Sequence, residues 1–87
     1  MNPFTVDWSA SAEEQLAEVW IQYPADAVAI TKAQAAIDIL LAKDPLGKGQ
    51  QVSPEGLWKL TVAPLTVYYS VDQAAHIVDV DSVHYTP

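Results

Sequence analysis

The chain has no cysteine and no arginine, and among its 87 residues there are only four lysines and three glycines. Without cysteine there are neither disulfides nor thiolate metal sites, and a reducing compartment is the expected home. The missing arginine matters more. Eleven Asp and Glu against four Lys leave a net charge of −7. Proteins that grip phosphate backbones draw their binding free energy from cationic side chains that displace counterions, so direct nucleic-acid binding is disfavoured. Long apolar runs are also lacking. No stretch approaches the length that spans a bilayer, and the start Met1-Asn2-Pro3-Phe4 lacks a basic region followed by an apolar one. The expectation is a cytoplasmic protein with no membrane segment.

What the chain does have is apolar side chains, 51% of the total, with three Trp, four Tyr and one Phe. A chain this short buries about 60–65% of the surface its unfolded form exposes. That supports one domain over residues 1–87, which needs no staples to fold. Phe4, Val6 and Trp8 alternate with Thr5 and Asp7, the period of a strand over 3–8 with one buried face. Ser11-Ala12-Glu13-Glu14 has the spacing of a capping box, and Leu16, Val19, Trp20 and Tyr23 form the stripe of a first helix that Pro24 ends. A second helix is predicted to Lys43, capped by Asp26, with Ile30, Ala33, Ile37, Leu40 and Leu41 on its apolar side. Residues 44–56 contain breakers and no period, which predicts a surface loop.

The remainder reads as three strands, 57–63, 65–71 and 76–83, with connections short enough to require an antiparallel meander. The predicted fold class is therefore α+β: two layers in the order β-α-α-β-β-β, with a helical hairpin on one face of an antiparallel sheet. The other face is expected to expose Lys59, Thr61, Thr66, Tyr68, Ser70, Asp79 and Asp81.

Chemistry-bearing residues are few. Gly47-Lys48-Gly49 lacks the spacing and the following Ser or Thr of a phosphate loop. His76, Asp79, Asp81 and His84 lack the pattern of supporting hydrogen-bond partners that orients metal ligands, and all three Trp fall on stripes predicted to be buried. No cofactor or metal is expected. His84-Tyr85 is the pair suited to acid–base work on a phosphodiester, an imidazole beside a phenol. Strict alternation puts His84 on the Val78 and Val80 side and Tyr85 on the exposed side, unless a bulge intervenes.

The order of elements resembles the RelE/ParE superfamily, the toxin components of bacterial type II toxin–antitoxin modules. Four stretches carry the resemblance: Phe4-Thr5-Val6-Asp7-Trp8-Ser9, Leu41-Ala42-Lys43-Asp44-Pro45 with Gly47 and Gly49, Gly56-Leu57-Trp58-Lys59-Leu60, and Pro64-Leu65-Thr66-Val67-Tyr68-Tyr69-Ser70-Val71-Asp72. The terminal His84-Tyr85 is similar to the ending of the YoeB-like branch, whose members are ribosome-dependent mRNA endoribonucleases. The resemblance implies a proton-transfer role for His84, a substrate-positioning role for Tyr85, a carboxylate base at Glu55, and Lys59 as the remaining basic residue. Thr66 stands where the family usually has an arginine. Losing such a donor costs several kcal/mol of transition-state stabilisation, so cleavage is expected to be weak. The implied partner is a cognate antitoxin with a basic or apolar binding segment. The alternative is a catalytically inactive interaction module acting on gyrase or another protein target, and self-pairing as a homodimer is compatible with either.

Overall fold

The computed structural model describes residues 3–54 and 56–87. Strand β1 (Thr5–Trp8) leads into helix α1 (Ala10–Gln22), and a 3-10 turn at Pro24–Asp26 leads into helix α2 (Ala27–Lys43). A short helix α3 (Pro45–Lys48) and four strands follow: β2 (Gln50–Ser53), β3 (Leu57–Val62), β4 (Leu65–Asp72) and β5 (Ile77–Tyr85). The sheet order is β1-β5-β4-β3-β2. Every neighbouring pair is antiparallel except β1–β5, which is parallel. The α+β two-layer class is as the sequence predicts.

The helices begin and end for local reasons that partly differ from the expectation. Ser9, not Ser11, caps α1: its backbone is extended and its Oγ accepts from the Ala12 amide at 3.1 Å. Asp26 makes no capping bond to α2, because its carboxylate accepts the Tyr85 hydroxyl instead. Residues 44–56 are not simply a loop. Asp44 caps α3 by accepting from the Gly47 amide at 3.0 Å, and Gln50 and Gln51 pair with Lys59 and Trp58 to add an edge strand.

The core lies between the helices and the sheet. Val19 and Ala12 of α1 and Ile30, Ala33, Ile37 and Leu41 of α2 pack against Leu60, Leu65, Val67, Tyr69, Val78, Val80 and Val83. Trp8 and Trp58 sit half-buried at its margin, and the Trp8 indole donates to Asp38 at 2.9 Å. Trp20, placed on the buried stripe by periodicity, is instead 43% exposed. It lies on the flank of α1 beside α2, while Ala12, Leu16 and Val19 supply the contacts to the sheet.

Candidate functional site

The face of the sheet opposite the helices is the candidate site, and one irregularity decides what it contains. Tyr68 opposes Ser82 while Tyr69 opposes Val80, so Asp81 is an extra residue on β5. Such a bulge reverses the parity of every side chain beyond it. Val83 and Tyr85 therefore fall on the helix-covered side, opposite Val67 and Leu65, and His84 falls on the open side, opposite Thr66. This is the reverse of the placement that strict alternation gives. The sequence carries a signal for it: the apolar positions step Val78, Val80, Val83, with polar Ser82 where an unbroken strand would place an apolar residue.

Helix α1 supports the bulge. The Ser9 amide donates to the Val80 carbonyl at 3.1 Å, and the Ser9 hydroxyl donates to the Asp81 carbonyl at 3.3 Å. Just beyond, the Val83 amide donates to Gln15 Oε1 at 2.7 Å. β1 pairs with β5 only as far as Val80. The Val83 amide thus finds in Gln15 the acceptor that no neighbouring strand provides on that edge.

On the open face, His84 is exposed and meets the half-buried Tyr68 ring edge-on, with centroids 5.4 Å apart. Lys59 lies opposite Tyr68 on β3, so Lys59, Tyr68 and His84 share one surface across three strands. Below them runs a hydroxyl chain. Thr61 and Thr66 share a hydrogen bond of 3.0 Å, and Thr66 donates to Thr86 at 2.9 Å. Thr66 is consequently 7% exposed rather than a free position on the open face. Towards the β1 edge, Asp7 and Asp79 lie side by side in register, and both are exposed. The surface thus grades from one lysine and one imidazole at the β3 side to carboxylates at the β1 side.

Of the four residues named from sequence, Lys59 and His84 are brought onto one face. Tyr85 is not: it stacks on Tyr23 with ring centroids 3.7 Å apart and donates to Asp26, tying β5 to the turn between the helices. That hydrogen bond, with burial and the charge of Asp26 adding to it, pushes the Tyr85 phenol up to about 12. Glu55 lies outside the described residues. Tyr68 is the residue that sequence reasoning did not single out for the site; its place opposite Lys59 in the meander was the available clue. His76 is at the other end of β5, with φ 56° in the preceding turn and its ring stacked on Phe4 at 4.8 Å.

No family model and no curated protein matches the sequence. Solved structures do share the fold. A chain of the toxin–antitoxin complex RelBE2 from Mycobacterium tuberculosis aligns with a TM-score of 0.73 at 22% identity, covering 98% of this chain and 93% of that one. A chain of the chromosomal ParDE TA system from P. aeruginosa aligns at 0.77 and 16% identity, with 97% of each chain covered. TrmO from Pseudomonas aeruginosa aligns at 0.59 and 24% identity, but only 36% of that chain is covered. The chain accordingly has a RelE/ParE-type fold over nearly its whole length.

Proposed function

We propose that this chain is the toxin-type component of a bacterial toxin–antitoxin module and that it binds a cognate antitoxin in the cytoplasm. The observation that carries this reading is the end-to-end match in both directions with chains of two toxin–antitoxin complexes.

The chemistry available on the open face is modest. If a phosphodiester lies there, His84 is the group that moves a proton, Tyr68 stacks or positions the substrate, and Lys59 is the cation facing the phosphate. Tyr85 acts indirectly, holding β5 against the helices. A single lysine, on a face whose far side carries Asp7 and Asp79, stabilises little of the charge that develops on a pentavalent phosphate, so cleavage is slow and complex formation is the dominant property. The antitoxin segment that fits is basic or apolar, matching a chain of net charge −7.

Co-expression with the product of the adjacent gene, followed by purification through a tag on either partner, tests the reading. A stable complex is expected, with growth slowed by this chain alone and restored by the pair. Two proteins that remain separate at micromolar concentration would refute it.

A further inference from the structure

The helices leave an apolar surface on the side facing away from the sheet. Val28 is 70% exposed, Ile21 78%, Ile39 58% and Trp20 43%. Trp20, Ala27, Val28, Thr31 and Lys32 line a groove between the two helices. The outward ridge of α2 runs Val28, Lys32, Ala35, Ile39, all exposed and at the four-, three- and four-residue steps that repeat along one side of a helix. Solvated helix faces in an acidic protein carry charge, yet α2 has only Lys32, Asp38 and Lys43 over its 17 residues, and Asp38 is engaged by Trp8. A helix apolar on both its inner and outer sides is built to be covered twice.

The charges beside this surface say what covers it. Exposed Glu13, Glu14 and Glu18 lie on α1, while Lys32 lies on α2. A two-fold interface requires a patch that complements itself. Turned about a two-fold axis, α1 of one copy faces α2 of the other, which sets the glutamates of each against Lys32 of its partner around a shared apolar centre. The same arrangement resembles the antiparallel packing of a four-helix bundle. We infer that the outer face of the helical hairpin is a homodimer interface, occupied by the hairpin of a second copy of this chain. The open sheet face lies on the opposite side of the molecule and stays accessible in the dimer.

Sedimentation equilibrium of the full chain at 0.15 M salt, from micromolar to near-millimolar concentration, tests the inference. The expected result is a dimer of twice the 9.5 kDa chain mass. Val28→Asp, at an exposed position, should retain the helical circular dichroism and weaken association by about tenfold or more, because it places a carboxylate in the apolar centre. Lys32→Glu should weaken it by about tenfold, and Glu14→Lys with Glu18→Lys in the same chain should restore it. Since the chain has no cysteine, Ala35→Cys offers a second measurement: oxidised cross-linking should far outpace that of Ala74→Cys in the β4–β5 turn. A chain that stays monomeric throughout, with equal cross-linking at both cysteines, would overturn the inference. So would a monomer whose binding to the adjacent gene product is abolished by Val28→Asp, since the surface would then belong to that partner.

Discussion

Two phenols sit in unlike settings with the same consequence. Tyr69 is fully buried, and its hydroxyl donates to the Pro45 carbonyl at 2.5 Å; burial first and the charge of Asp44 second push it up to about 12. Tyr85 reaches about 12 chiefly through its hydrogen bond to Asp26. Both values exceed the ordinary 10.0 of an unfolded tyrosine. The unfolded chain therefore releases these protons first as pH rises, and the stabilisation they provide is complete below about pH 10 and lost towards pH 12. Thermal melts should show a level midpoint up to that range and a fall above it, with a shallower fall in Tyr69→Phe and in Tyr85→Phe. Gly49 depends on the same hydroxyl: a Cβ there would stand 1.6 Å from Tyr69 Oη. Gly49→Ala should thus cost about 1–3 kcal/mol in urea unfolding, the usual price of overpacking. Neither role was legible in the sequence, where Gly49 reads as a loop breaker and its constraint comes from a residue twenty positions later.

The elements themselves were largely legible, because Val19, Ile30, Ile37 and Leu41 repeat at helical steps and Leu60, Leu65, Val67, Tyr69, Val78 and Val80 at strand steps. The exceptions share one physical cause: they depend on contacts made at a distance. β2 is four residues of Gln-Gln-Val-Ser, without alternating apolarity, and becomes a strand only by pairing with β3. Asp26 looks like a helix cap until Tyr85 claims its carboxylate. The bulge at Asp81 is held by Ser9 and Gln15 of α1, so the orientation of His84 depends on a helix some seventy residues earlier. Gln15→Leu removes the acceptor of the Val83 amide and should cost about 1–3 kcal/mol, the penalty for a buried donor left unpaired. Its NMR spectrum should also show the His84 ring protons losing the ring-current shift that the Tyr68 edge contact imposes. Ser9→Ala should cost about 1 kcal/mol through the lost cap, with a smaller change at His84.

For the molecule as a whole, the sheet separates two surfaces of different character. One is polar and open, holding Lys59, Tyr68 and His84 at one side and Asp7 and Asp79 at the other. The other is the apolar exterior of the helices. Net charge was readable from composition, but the way it is distributed between these surfaces required the fold. At about 0.15 M salt the Debye length is about 8 Å, so the repulsion between a −7 chain and a polyanion acts only near contact, where the carboxylates of the open face oppose the single lysine. On this balance of charge the open face is proposed to receive a protein segment in preference to RNA. Isothermal titration at 0.15 M salt, with the adjacent gene product in one experiment and single-stranded RNA in the other, tests it most directly. Tight binding of the protein is expected, weakened by Asp79→Lys or Tyr68→Ala, with no heat from RNA at micromolar concentration; RNA binding at that concentration, weakening steeply with salt while the protein gives no signal, would refute the proposal.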